Sequence, residues 1–240
     1  MVRIQISVPL PRWVYNPARR LKRAVFASDY NSVNLWGDRD VEWSFIASQM
    51  PCGPGEALDF GCDGSYLSVI AARRGFRVLA LDLEPQASYW HHPDVRFVQG
   101  DLLELDLPLA YFDLIINCSS VEHVGLVGRY SVTEQRVDGD LEAMARMHEL
   151  MKPGAMMLLT VPVGRDTVFA PLCRVYGSRR LPKLLADFQV EWEEFWRKGP
   201  DNLWSLCDRA LALEFEPSAG SWDPGQNVYA LGCFVLRRPE

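Results

Sequence analysis

Apolar and polar positions along the chain alternate between a helical and a strand period. Over 38–50, Val41, Phe45, Ile46 and Met50 recur at helical spacing behind Asp38, which stands where an N-cap would. Residues 17–28 read as an earlier helix. After Pro51-Cys52-Gly53-Pro54-Gly55 the pattern shortens to Ala57-Leu58-Asp59-Phe60, a short apolar strand, and a glycine-bearing turn leads into a helix over 66–74 that Gly75 ends. Strands are expected over 77–81, ending at Asp82, over 95–98, ending at Asp101, and over 112–118. A helix over 139–151 stops at Lys152-Pro153-Gly154, and 155–162 is a continuous apolar strand, as a parallel sheet covered on both faces requires.

This alternation predicts an α/β fold with helices on both faces of the sheet. The expected organisation is one domain over 1–240. It comprises a helical cap (1–50), a core (55–163), a lid (165–186) in which Pro171, Gly177 and Pro182 interrupt short helical stretches, and C-terminal strands (187–240). The last strands are placed at 188–195 and 227–237. A helix near 203–211 and a polar loop with Pro217, Gly220, Pro224 and Gly225 join them.

At 240 residues and 48% hydrophobic composition the chain can bury one sizeable core. Its six cysteines are scattered and never spaced as Cys-x-x-Cys, which suggests neither a disulfide framework nor a zinc knuckle and fits a reducing compartment. A net charge of -6 argues against a general nucleic-acid binder. The first six basic residues after Met1, Arg3 to Arg23, precede the first acid, Asp29, and form either a solvated face or a contact for an anionic partner. No stretch approaches a membrane span, so a cytoplasmic location is expected. Dimerisation is left open.

The segment Leu58-Asp59-Phe60-Gly61-Cys62-Asp63-Gly64-Ser65 resembles the first motif of class I S-adenosylmethionine-dependent methyltransferases. The resemblance continues through Asp82, which stands 23 positions after Asp59, the Gly100-Asp101 pair, 112–117 and the Leu150-Met151-Lys152-Pro153-Gly154 turn. It covers roughly residues 55–163 in order and spacing. It implies a Rossmann-like, doubly wound, mostly parallel seven-stranded sheet with an antiparallel last strand, S-adenosylmethionine as cofactor, S-adenosylhomocysteine as product, and no metal. By that resemblance Asp59 faces the methionine ammonium, Asp82 the ribose hydroxyls and Asp101 the adenine amino group, while Cys62, Asp63, Leu83, Leu102, Asn117 and Ser119 also border the cofactor. A bare Gly61 lets the cofactor approach the backbone. A carboxylate at position 59 would repel a pyrophosphate, which disfavours a dinucleotide. Asp63 and Ser65 stand where the family motif usually has glycine. Any one of the three acids could instead simply cap a turn or end a strand.

The loop Asn117-Cys118-Ser119-Ser120-Val121-Glu122-His123-Val124-Gly125-Leu126-Val127-Gly128-Arg129-Tyr130 is the densest in functional side chains and looks like an uncharacterised branch of the same family, suggestive of a small-molecule or saccharide acceptor. His123 is the candidate base for a hydroxyl acceptor, with Glu122 as its orienting group or substitute; His123 packing beside the cofactor is the alternative. Arg129 and Tyr130 are candidates for gripping the acceptor, or for pairing with Asp138. His91 and His92 make a poor metal site, and His148 lies on a core-facing helix. Trp192, Trp196, Trp204 and Trp222 read as core or lid aromatics. A cofactor-binding module without turnover is the second functional reading.

Overall fold

The computed structural model describes residues 35–85, 91–128, 130–199, 203–218 and 229–240. The helix expected over 17–28, the basic arm, Arg129, Trp222, Gly220, Pro224 and Gly225 lie outside the described residues. In chain order the elements are α1 (Leu35–Gln49), β1 (Gly55–Phe60), α2 (Leu67–Arg73), β2 (Phe76–Asp82), β3 (Val95–Gln99) and β4 (Phe112–Cys118), then a single 3-10 turn (Val121–His123). There follow α3 (Gly139–Leu150), β5 (Met151–Val163), β6 (Thr167–Phe169), β7 (Cys173–Val175), α4 (Leu181–Leu184), β8 (Gln189–Lys198), β9 (Trp204–Cys207), α5 (Arg209–Leu213) and β10 (Ala230–Arg237).

The main sheet has the order β3-β2-β1-β4-β5-β10-β8-β9. Strands β1 to β5 pair in parallel, and β10 enters antiparallel between β5 and β8. The chain therefore winds outward from β1 through β2 to β3 and then returns to the other side of β1 with β4. A crevice opens at that reversal, outside the carboxyl ends of β1 and β4.

Burial on both faces explains the continuous apolar strands. In β4, Leu114 and Ile116 face one core cluster, with Phe45 and Ile46 of α1 and Leu67 and Ala71 of α2, while Ile115 faces the other, with Met144, Met147 and Leu150 of α3. Phe112 joins the same cluster as Ile115, against strict alternation. The register between β4 and β5 slips between Phe112 and Leu114, which turns Phe112 to the opposite face.

Three expectations are corrected. The 203–211 segment is not one helix: Trp204–Cys207 pairs with β8 as an eighth strand and only Arg209–Leu213 is helical, because the strand supplies the ladder hydrogen bonds that the outer edge of β8 would otherwise lack. Residues 165–186 form the β6–β7 hairpin and α4 rather than interrupted helical stretches. Asp38 is not a cap: the helix starts earlier, at Leu35, and turns the Asp38 side chain inward.

The buried face of α1 thus carries two acids, Asp38 and Glu42, in line with Phe45, Ile46 and Met50. Glu42 Oε1 accepts hydrogen bonds from Ser119 Oγ beyond β4 and from Thr160 Oγ1 of β5 (3.0 Å), and its Oε2 accepts one from Arg39 Nη1 (2.8 Å). Asp38 accepts from the Tyr229 hydroxyl at 2.6 Å. Burial, reinforced by Glu42, pushes the Asp38 carboxyl up to about 7.

A second buried charge fixes the opposite side. Arg174 of β7, 1% exposed, donates to the carbonyls of Glu122 (3.3 Å), Val124 (2.6 Å), Arg136 (2.9 Å) and Val137 (3.3 Å), and its Nε lies 3.4 Å from Asp140. Arg180 also grips Asp140, through Nε at 2.8 Å and through Nη2. The loop between β4 and α3 is therefore closed on itself at both ends by one guanidinium. We expect Arg174→Met to lower stability by roughly 3 to 5 kcal/mol in urea titration, since it leaves a buried carboxylate and several carbonyls short of donors.

Candidate active site

The crevice at the β1/β4 reversal is a cavity of about 860 Å³. Its floor is the turn after β1. Gly61 N and Cys62 N both donate to the Leu81 carbonyl, at 2.8 and 3.2 Å, which ties the turn to β2. Asp63 adopts a left-handed backbone (φ 40°) where a glycine would be easiest, a conformation Asp tolerates, and its amide donates to Asp82 Oδ2 at 2.8 Å. Gly61 is also left-handed (φ 66°), yet the reason it must be bare differs from the expected one: an added Cβ would run into the Ser120 side chain across the crevice. The turn after β1 and the turn after β4 touch there.

The three strand-end acids all reach this cavity. Asp59 is buried and accepts from Ser68 Oγ at 2.5 Å; burial pushes its carboxyl up to about 6 despite that hydrogen bond. Asp82 accepts backbone N–H bonds on both oxygens, from Asp63 and from Glu84 (2.9 Å), so its carboxylate is oriented before any ligand arrives. Asp101 accepts from Leu103 N at 2.9 Å. The acids thus shape their turns and line the cavity as well. Cys62, Asp63, Leu83, Leu102 and Ser119 also line it, and burial raises the Cys62 thiol far above its ordinary range.

Asn117 does not. Its amide Nδ2 points into the core toward the sulfurs of Met144 (3.8 Å) and Met147 (3.9 Å), and its Oδ1 accepts from Val121 N at 3.3 Å. The alternation along β4 turns it to the α3 face. It anchors the 3-10 turn that presents His123.

His123 lines the cavity with its Nδ1 2.6 Å from the Leu172 carbonyl. A carbonyl only accepts, so that bond places the proton on Nδ1 and leaves Nε2 with the lone pair of the neutral ring. Nε2 is 3.7 Å from Glu122 Oε1, whose side chain is buried behind the cavity wall. Tyr130 lines the cavity 5.1 Å from the His123 ring. Asp138, suggested as its alternative partner, pairs instead with Arg180 (3.1 Å). Residues 165–186 add nothing to the wall; they hold it from behind, through the Leu172 carbonyl at His123 and through Arg174 at the carbonyls of Val124 and Arg136, and the roof is formed by residues 130–134 and Arg136. Ser131 Oγ fastens that roof to Glu84 at 2.6 Å.

Trp192, Trp196 and Trp204 stand on β8 and β9, away from the cavity, and Trp192 is exposed. His148 packs edge-on against Phe188. Among the described residues no group of three or more His, Cys, Asp or Glu is arranged to hold a metal ion. Arg39 and Trp43 of α1 line the cavity and were not singled out from the sequence. The available signal was the helical spacing that places Asp38 and Glu42 on the apolar stripe and Arg39 and Trp43 beside it.

We expect Gly61→Ala to cost about 1 to 3 kcal/mol in thermal or chemical unfolding, and Ser120→Gly in the same chain to recover the part due to the clash but not the part due to the left-handed backbone.

The geometry agrees with comparisons to known proteins. A family model described as "Caenorhabditis protein of unknown function, DUF268" matches residues 104–210. A Mycolicibacterium smegmatis protein described as a probable S-adenosylmethionine-dependent methyltransferase is 28% identical over 172 residues, which is 66% of this chain and 61% of that protein. The ubiquinone biosynthesis O-methyltransferase of Xanthomonas campestris is 23% identical over 208 residues, 81% of this chain and 82% of that one. Among solved structures, the 1,6-didemethyltoxoflavin-N1-methyltransferase of Burkholderia thailandensis, with 1,6-didemethyltoxoflavin and S-adenosylhomocysteine bound, superposes with a TM-score of 0.57 at 18% identity, covering 98% of this chain and 94% of that one.

Proposed function

We propose that the chain is a class I S-adenosylmethionine-dependent methyltransferase, the family its fold and motif order resemble, and that it transfers the methyl group of S-adenosylmethionine to a small-molecule acceptor. The observation that carries this reading is the convergence of Asp59, Asp82 and Asp101, from the ends of three successive strands, on one cavity beside the Gly61–Gly64 turn. The donor set fits the group. Carboxylates suit a cation with ribose hydroxyls and an exocyclic amine, and they do not suit a pyrophosphate.

In this reading Asp59 faces the ammonium, Asp82 accepts from the ribose hydroxyls, and Asp101 accepts from the adenine amino group between Leu83 and Leu102. Cys62, Asp63 and Ser119 border the same ligand. S-adenosylmethionine, when bound, supplies an electrophilic methyl carbon whose bond to sulfur breaks, with its electron pair, as the acceptor's lone pair attacks in line. The chain's contribution is mainly alignment, with the reacting atoms held roughly 3 to 3.5 Å apart. For a hydroxyl acceptor, His123 Nε2 takes the proton, Nδ1 being committed to Leu172, while buried Glu122 stabilises the imidazolium that forms. Tyr130, on the cavity wall beside His123, contacts the acceptor. One relative is named for ubiquinone biosynthesis and one for 1,6-didemethyltoxoflavin, which supports a small-molecule acceptor here.

Calorimetric titration with S-adenosylmethionine, S-adenosylhomocysteine and NAD tests the reading: the first two bind, NAD does not, and Asp82→Ala weakens both by roughly 1.5 to 3 kcal/mol. Binding of NAD alone, or of none, overturns it; tight binding with no turnover of any acceptor favours the non-catalytic module. A pH series tests Asp59. Its carboxyl, held near 6, must ionise to receive an ammonium, so affinity for S-adenosylhomocysteine rises with pH, by at most about tenfold per unit, up to about pH 6 and then levels. Asp59→Asn binds more weakly and removes that component of the pH dependence.

A further inference from the structure

The cavity has two chemically different halves. The carboxylates come from Asp59 and Asp82 at the ends of β1 and β2 and from Asp101 just past β3, whereas from the end of β4 onward the wall is Cys118, Ser119, Ser120 and His123, faced by Arg39 and Trp43 of α1. The acids of this second half, Asp38, Glu42 and Glu122, are buried and none lines the cavity. An acceptor would therefore meet a guanidinium and an indole, with the carboxylates behind them.

The Arg39 guanidinium is held in place from behind. Its Nη1 donates to Glu42 Oε2 at 2.8 Å and lies 3.9 Å from Cys118 Sγ, and the Glu42 carboxylate is itself fixed by Ser119 and Thr160. Among the described residues, Nε and Nη2 have no hydrogen-bond partner, and the side chain is 42% exposed. Burial works against its charge, but Glu42 together with Cys118, Asp38 and Glu122 outweighs this and raises the pKa, so the group stays cationic. A guanidinium with one nitrogen tied down and a parallel pair of donors left over matches a carboxylate. Trp43, one turn along, is half-buried, lines the same cavity and packs edge-on against the Tyr66 ring (centroids 4.6 Å apart). The other lining guanidinium, Arg136, is committed to Glu104, Glu134 and Glu142, at 3.1, 3.0 and 3.2 Å.

We propose that Arg39, held by Glu42, and Trp43 form the acceptor-recognition wall, and that the acceptor is a planar aromatic carboxylate whose carboxylate pairs with Arg39 while its ring lies on Trp43. This rests on the methyltransferase reading and deepens it by naming the acceptor class. The cationic cofactor in the neighbouring half assists by offsetting the buried acids.

The test uses the full chain saturated with S-adenosylhomocysteine, which holds the cofactor half filled without turnover. It is titrated with 3,4-dihydroxybenzoate and, in parallel, with the neutral 3,4-dihydroxybenzamide. The carboxylate binds at least about tenfold more tightly, Arg39→Met reduces it to the amide's affinity, Arg39→Lys retains only part of the preference, and Trp43→Ala weakens both probes alike. Glu42→Gln lowers the carboxylate preference without changing the amide's affinity. The Arg39 and Trp43 variants keep the wild-type affinity for S-adenosylhomocysteine, which checks their folding. Equal binding of the two probes by the unaltered protein, no binding of either, or a preference that survives Arg39→Met overturns the inference and leaves the methyltransferase reading standing. Failure to bind S-adenosylhomocysteine at all overturns both.

Discussion

Everything at the site depends on the parallel pairing of β1 with both β2 and β4. One strand with parallel neighbours on either side, one preceding and one following the reversal of winding, cannot have both connections cross the same edge, so their carboxyl ends part and leave a crevice. The Gly61 turn lies on one lip and Ser119-Ser120 on the other, near enough that Gly61 has no room for a side chain. The acids on β1 and β2 and just past β3 need no further device to converge, because parallel strands end on the same side of the sheet.

Buried charge then does what apolar packing cannot, which is to fix orientation. Glu42 fastens α1 to the ends of β4 and β5, and Arg174 with Asp140 and Arg180 fastens the β4–α3 loop to the β6–β7 hairpin. Such groups are costly to desolvate and are tolerated only with nearly every donor and acceptor matched. Here each is matched to partners on a different element, so the two walls of the cavity are held at defined positions over the sheet. A hydrophobic contact of the same area would leave them free to slide.

The hairpin acts on the cavity at one remove. The Leu172 carbonyl sets the tautomer of His123, and Asn117, beneath it in the core, holds the amide of Val121 at the start of the same turn. Residues that do not line the cavity thereby decide which ring nitrogen carries the proton.

The sequence by itself determined the alternation of strands and helices, the two-faced burial of β1, β4 and β5, and the three strand-end acids, because these follow from local periodicity and from spacing within one repeating unit. It misplaced Asn117, since a period-2 pattern says that successive residues point oppositely but not which face holds the site. It missed the hairpin of β8 with β9 and the slip at Phe112, since both are settled by which edge is available for pairing. Asp38 reads as a cap in the sequence and Glu42 has no assigned role there; packed on the sheet, the two acids find partners, Tyr229, Ser119 and Thr160, that lie 77 to 191 residues away. Only the tertiary structure could decide the role of those side chains, because a buried charge is defined by partners that no local stretch of sequence contains.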